Sequence, residues 1–207
     1  MTSARFLSLA VPTLLAYLIG GLPFGYWFVR LTSGQDIRNL GSGNIGATNV
    51  HRAMGTKAGL VVLALDIFKG FVAVWIVATA THGNTLAVAL SIAAVMLGHC
   101  YPVFLRFKGG KAVACFIGAF LYVAPLALLV IAALFALIVL LSRYISLGSI
   151  IGAFAFPFVY WLIDRPPEPL LAASGFAALL IIYRHQANIG RLRSGKENVF
   201  SFKGRAA

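Results

Sequence analysis

The apolar stretch AVACFIGAFLYVAPLALLVIAALFALIVLLS, residues 112–142, carries no charge over its whole length. As one helix rising about 1.5 Å per residue it would be about 45 Å long, well beyond a hydrocarbon core of about 30 Å. Pro125 lies inside it and has no N–H to give to the helix ladder. The stretch is therefore predicted to be two helices, a short one over 112–123 and a full-length one over 125–142.

On either side, further apolar runs fall near 6–29, 58–80, 86–105, 145–163 and 169–183, charged only at Asp66 and Lys69. Each is a helix candidate, because within lipid a single segment satisfies its own backbone groups only as a helix. The chain has 207 residues, 60% of them hydrophobic and 11% charged, with mean hydropathy +0.92. That is too apolar for an ordinary soluble domain and long enough for several membrane spans. The chain reads as an all-α, multi-pass integral membrane protein, one domain over 1–207. Only Arg5 precedes the first run and no convincing cleavage site follows it, so it reads as a retained span.

The break at Pro125 gives seven helices, one of them short. With the N-terminus outside, the segment 30–57, the segment 106–111, Arg143 and the tail from Arg184 all lie inside. They hold all but three of the 17 Lys and Arg, leaving Arg5 and Arg165 outside and Lys69 within a span. Six helices would place the basic tail opposite the first two basic loops, against the positive-inside bias. The expected topology is thus N-terminus outside and C-terminus cytoplasmic. The outer connection Asp164–Glu168 is nearly charge-balanced, as this requires.

A net charge of +12 on so few ionisable groups points to anionic lipid, an anionic substrate or both. The cations are scattered among apolar segments and form no soluble basic domain, so nucleic acid is not an expected partner. Cys100 and Cys115 have neither metal-ligand nor disulfide spacing and read as small apolar fillers.

Three polar segments meet on the inner face in this topology. The first contains Gly41-Ser42-Gly43-Asn44-Ile-Gly-Ala-Thr-Asn49, flanked by Arg38 and Arg52. Its glycines allow backbone N–H groups to converge on an anion, and the two arginines supply bidentate charge for a phosphate. The second is Arg106-Phe-Lys-Gly109-Gly110-Lys111, entering the short helix, where free N–H groups and the helix dipole favour a phosphate. It is not a Walker A loop. The third runs from His185 through Asn188 and Arg191 to Glu197. Any one of these alone reads as a turn or a headgroup anchor; their coincidence on one side points to a site. Arg184, Arg193, Lys203 and Arg205 read as headgroup anchors, and His185 as a possible partner for the last helix's C-terminus.

Within the spans, Asp66 and Lys69 lie three apart on one helical face and are expected to pair. Ser146 reads as a helix N-cap, Ser149 as a donor one turn farther in, and His99 as a core residue.

Taken together these motifs resemble one family. S-G-x-D-I-R-x-x-G-S-G-N-x-G-A-T-N-V-x-R spans 33–52, D-x-x-K-G spans 66–70, and G-H-x-Y-P-V-F-L-x-F-K-G-G-K spans 98–111; R-Y-x-S-L-G-S-I begins at Arg143 and H-x-x-N-I-x-R-L-x-x-G-x-E at His185. The chain is similar over nearly its whole length to the PlsY family, acyl-phosphate-dependent glycerol-3-phosphate acyltransferases of the bacterial inner membrane. The resemblance implies transfer of a fatty acyl group from acyl phosphate to the 1-hydroxyl of sn-glycerol 3-phosphate, with the active site toward the cytoplasm. It places Arg38, Ser42, Asn44 and Arg52 in the catalytic pocket, Gly109, Gly110 and Lys111 at a phosphate, His185 and Asn188 in the site and Ser149 on substrate, while Glu197 is structural. Gly41 and Gly43 belong to the same phosphate-binding loop.

One departure stands out. The family reads G-G-K-G-V-A-T where this chain has Gly109-Gly-Lys-Ala112-Val-Ala-Cys115. If residue 112 is already helical, Ala improves propensity, and that is the expectation.

The residues suit this chemistry by themselves. Acyl phosphate is an activated donor, and both substrates carry a phosphate that two cationic loops can hold. His185 is the obvious side-chain base, with a substrate phosphate oxygen as its competitor. No residue pattern calls for a metal, a nucleotide or an obligate protein partner. An organic-phosphate transporter would use the same cations, but there is no internal repeat and the polar groups sit on one side, not at the midplane. A structural scaffold leaves the clusters unexplained.

Overall fold

The computed structural model describes residues 3–201, with side chains from Leu7 onward. Lys203, Arg205 and the side chain of Arg5 lie outside the described residues. The described chain is all-helical: α1 (Ser3–Gly21), α2 (Phe24–Ser33), α3 (Ala47–Met54), α4 (Thr56–Ala80), α5 (Thr85–Cys100), α6 (Val113–Val123), α7 (Pro125–Ser142), α8 (Ile145–Asp164), α9 (Glu168–Arg184) and α10 (Gln186–Arg193), with 3-10 turns at Ile37–Asn39 and Val103–Leu105. The long run breaks where Pro125 predicts. Ala124 leaves the helical region and Pro125 opens α7 at its first turn, where its missing N–H costs nothing.

Five segments are long and apolar enough to cross a membrane: Leu7–Ser33, α4, Thr85–Leu105, α7 and α8. Joined across a bend of 56°, α9 and α10 make a sixth, and α6, at 11 residues, is a shorter apolar helix. Large side chains such as Leu129, Leu140, Phe154 and Leu179 face outward, as lipid-facing residues do.

The first span is interrupted at Leu22-Pro23. A break in hydrocarbon orphans backbone groups, and here the carbonyl of Leu22 accepts from Lys69 Nζ at 2.7 Å. The same ammonium lies 2.7 Å from Asp66 Oδ1, the pairing expected from the i, i+3 spacing. Neither side chain is more than 3% exposed. One buried ion pair thus compensates its own desolvation and the helix break together.

The main core gathers α1, α4, α5, α6, α7, α8 and α9 around Phe116, Phe120, Phe156 and Tyr160, whose rings contact at 4.5–6.0 Å. Cys100 and Cys115 are buried free thiols within it. A smaller core of Val29, Ile37, Ile45, Val50, Val62 and Leu105 lies under the polar loop before α3 and fixes it to the helices.

Helix α6 lies against α4 with no space between their backbones. A Cβ on Gly118 would sit 1.9 Å from the carbonyl oxygen of Ile67, and one on Gly70 2.4 Å from that of Cys115. Small residues at both contact points permit this approach. Gly118→Ala is expected to force the helices apart and cost about 1–3 kcal/mol. Thermal unfolding in detergent, followed by a thiol-reactive fluorophore on the buried Cys100 and Cys115, should show a lower midpoint than the parent. An unchanged midpoint would mean that the helices do not meet here.

Candidate functional site

The polar loop before α3 is built around one carboxamide. Asn49, 2% exposed, accepts from the Ser42 amide through Oδ1 at 2.8 Å and donates through Nδ2 to the carbonyls of Leu40 and Asn44, both at 2.9 Å. Gly41 turns through φ +54°, and a Cβ there would lie 2.4 Å from that same Oδ1. Asn44 Oδ1 accepts from the Gly46 amide and closes a local turn. These bonds consume the Ser42 amide, so the hydroxyl of Ser42 and the Nδ2 of Asn44 are what the loop offers to a ligand. Asn49 is absent from the site residues read from the sequence, where it was legible only as part of a motif.

The second loop is held differently from expectation. The amides of Gly109 and Gly110 donate to the carbonyls of Cys100 and His99 at 3.1 and 2.9 Å. Their own carbonyls accept from Arg184, through Nη2 and Nε, each at 3.0 Å. Neither amide is free for phosphate; the glycines are there because a Cβ would meet His99, at 2.2 Å from its carbonyl oxygen for Gly109 and 2.0 Å from Nε2 for Gly110. Arg184 is accordingly no headgroup anchor: it clamps this loop and lies over the Tyr101 ring at 4.9 Å. Residue 112 is not helical either. Ala112 adopts φ +60° and is the residue before α6, so the third position of this loop does use the left-handed conformation that glycine favours.

Lys111, presented by this loop, donates to Asn188 Oδ1. Asn188 Nδ2 donates to Glu197 Oε1 at 2.9 Å, and Glu197 Oε2 accepts from Arg191 Nε at 2.9 Å. Glu197 is 6% exposed and fixes which way the Asn188 amide faces. Burial, then the nearby Arg191, pushes the Lys111 ammonium down to about 8, opposed by Glu197. His185 ends α9 and its Nδ1 donates to the Ile181 carbonyl at 2.7 Å, the capping role open to it, which leaves Nε2 as an acceptor. Burial and the Lys111 charge push its pKa down to about 4, so the ring is neutral at physiological pH.

Ser42, Asn44, Arg52, Lys111, Ser149, His185 and Asn188 all line one cavity of about 450 Å³. Its far wall is apolar, with Leu60, Leu63, Phe116, Leu128, Ile131 and Phe135. A polar recess of about 350 Å³ adjoins it, sharing Ser42, Asn44, Lys111 and Asn188 and adding Arg184 and Arg191. Gly41, Gly43, Gly109 and Gly110 shape the loops without lining the cavity. Arg38, expected in the pocket, is not among its lining residues: it is exposed, pairs with Asp36 at 2.6 Å and stacks over Tyr26 at 5.0 Å. The two-residue spacing from Asp36 lets the carboxylate chelate the guanidinium locally.

Arg52 is half-buried in the cavity wall, and burial lowers its pKa without discharging it. Among the described residues it has no ion-pair partner within 4.0 Å. Ser149 donates to the Ile145 carbonyl at 2.9 Å, so its oxygen is left to accept. Ser146 is not a cap: α8 begins at Ile145 after Tyr144. His99 Nδ1 lies 3.7 Å from Asp66 Oδ1, beyond hydrogen-bond distance, and both side chains line the cavity. Asp66, His99 and Cys115 offer ligand atoms within 4.8 Å of one another, but the carboxylate already holds the Lys69 ammonium, which opposes a second cation there.

Chemically, the site joins a cationic end to a hydrocarbon-lined wall. The glycerol-3-phosphate acyltransferase family model matches residues 10–195. A glycerol-3-phosphate acyltransferase of Syntrophotalea carbinolica is 48% identical over 193 residues, 93% of this chain and 98% of the relative. One from Geobacter sulfurreducens is 46% identical over 188 residues, 91% and 95% of the two chains. Two crystal structures of PlsY (YgiH), an integral membrane glycerol 3-phosphate acyltransferase, share the fold across 94% of this chain and 96% of theirs. The glycerol 3-phosphate form gives a TM-score of 0.88 at 39% identity and the lysophosphatidic acid form 0.85 at 36%. Motifs, fold and relatives agree, and the chain belongs to the PlsY family of glycerol-3-phosphate acyltransferases.

Proposed function

We propose that this chain transfers a fatty acyl group from acyl phosphate to the 1-hydroxyl of sn-glycerol 3-phosphate, giving lysophosphatidic acid and inorganic phosphate. The observation that carries the reading is a single cavity with a long apolar wall ending at Lys111, Arg52, His185 and Asn188. An acyl chain fits that wall and phosphates fit those cations. We read the chain as one membrane-embedded domain of seven helices, N-terminus outside and C-terminus cytoplasmic, in a bacterial inner membrane. Its site then opens to cytoplasmic glycerol 3-phosphate while the donor's tail arrives from the bilayer.

The transfer balances within its substrates. The bond between the donor's carbonyl carbon and the bridging oxygen breaks, the glycerol 1-oxygen bonds to that carbon, and the hydroxyl proton ends on the departing phosphate. Lys111 and Arg52 offset phosphate charge, and Ser42 and Asn44 donate to donor oxygens. The neutral His185 accepts from the glycerol hydroxyl through Nε2 and orients it. With Nδ1 committed to the Ile181 carbonyl, the ring orients the hydroxyl and the departing phosphate oxygen takes its proton. Glu197 is committed to Asn188 and Arg191, and Asp66 to Lys69, so neither carboxylate competes for that role.

The first test incubates the purified protein with palmitoyl phosphate and glycerol 3-phosphate and follows phosphate and lysophosphatidic acid together, beside palmitoyl-CoA and Ser42→Ala. Both products are expected from acyl phosphate only; a folded protein that acylates nothing would redirect attention to phosphate transport. Lys111→Ala should lower kcat/KM by about 10²–10³, whereas the exposed Arg193→Ala should leave it nearly unchanged. Because the charged amine binds phosphate, kcat/KM should fall as pH rises through about 8, and Lys111→Arg should remove that alkaline limb. His185→Asn should reduce turnover modestly while the pH profile between about 5.5 and 8 keeps its shape; loss of a limb in that window would make the histidine the base.

A further inference from the structure

Helix α8 enters the cavity by its N-terminus. Tyr144 precedes it without a side-chain cap, and the first amide with an intrahelical partner is that of Gly148, bonded to the Tyr144 carbonyl at 3.2 Å. The amides of Ile145, Ser146 and Leu147 therefore form an uncapped, partly positive end. In this first turn stands Ser146, only 6% exposed, whose hydroxyl has no hydrogen-bond partner among the described residues and which lines the cavity. An unpaired buried hydroxyl costs folding free energy, and most such groups in proteins find a partner. Its neighbour Ser149, one turn on, has already given its proton to Ile145, which leaves Ser146 as the serine donor on this face.

The opposite wall supplies charge. The amide of Phe200 donates to the Arg143 carbonyl at 2.7 Å, and its ring lies 5.4 Å from that of His51. This strap ties the start of α8 to α3, and Ser146, the half-buried Arg52 and Phe200 line the same cavity. A hydroxyl donor, helix amides and a guanidinium with no ion-pair partner within 4.0 Å among the described residues together match a tetrahedral oxyanion.

We propose that Ser146, with Arg52 and the first turn of α8, forms a phosphate-binding subsite whose ligand satisfies the otherwise unpaired hydroxyl. The subsite rests on the function proposed above and deepens it: two phosphorylated substrates need two such places, and Lys111 with Asn188 supplies the other. The phosphate belongs either to glycerol 3-phosphate or to the acyl donor, and separate KM values tell these apart.

The test compares wild type, Ser146→Ala and Ser146→Thr in the full chain. Ser146→Ala removes an unsatisfied buried group, so the thermal midpoint without ligand should stay level or rise, while KM for one phosphorylated substrate should increase about tenfold with kcat within about twofold. Ser146→Thr keeps the hydroxyl and should restore that KM. Inorganic phosphate should raise the midpoint of wild type and Thr more than that of Ala. This readout needs no turnover and tests the subsite even if no lysophosphatidic acid is formed. Unchanged KM values for both substrates with an unchanged phosphate effect, or a lowered unliganded midpoint in Ala, would overturn the proposal.

Discussion

Lys111 reaches the cavity because two glycines let its loop lie flat on the C-terminal end of α5. The amides of Gly109 and Gly110 take up the orphan carbonyls of His99 and Cys100, which a helix ending in this setting must satisfy somewhere. Arg184 then takes the loop's carbonyls from the other side. Every backbone group at these two residues is bonded, and the loop has little freedom before any ligand arrives. This places the ammonium opposite Asn188 with its orientation fixed in advance, the condition under which a charged donor is most effective in a site that excludes water.

The same economy governs charge deeper inside. A lone ion in hydrocarbon is expensive, and Asp66 and Lys69 reduce that cost by meeting at 2.7 Å while the amine also bonds the Leu22 carbonyl at the break of the first span. Around the candidate site the balance is incomplete. Arg52 and Lys111 are desolvated, and one carboxylate, Glu197, stands against them, itself occupied by Arg191 and Asn188. Such unpaired positive charge is unfavourable in the empty protein and is relieved by an anionic ligand.

Much of this was legible in the residues. Pro125 divides the long apolar run because it lacks an N–H, an effect local to the chain, and the pairing of Asp66 with Lys69 follows from helical spacing alone. The gathering of Ser42, Lys111, His185 and Asn188 followed from charge counting and motif coincidence. What escaped depended on partners distant in sequence. Arg184 looks like any cation after a span until the carbonyls of residues 109 and 110 are seen beside it, 75 and 74 positions away. Arg38 has the right type and motif but is captured by Asp36 two residues earlier. Ser146 has the right type for a cap, yet the helix begins one residue before it.

Ala112 shows how a departure from a family pattern can be tolerated at a demanding position. Its φ of +60° costs an L-residue roughly 1–2 kcal/mol relative to glycine. Replacing glycine by alanine also removes conformations from the unfolded chain, which returns about 0.4–1 kcal/mol. The methyl is fully buried beside the cavity, adding a small apolar gain. These gains offset only part of the cost, and the loop keeps its left-handed residue without glycine because its neighbours on both sides already dictate the backbone path. The surrounding loop holds this position against residue preference, which is why preference alone pointed to the wrong conformation.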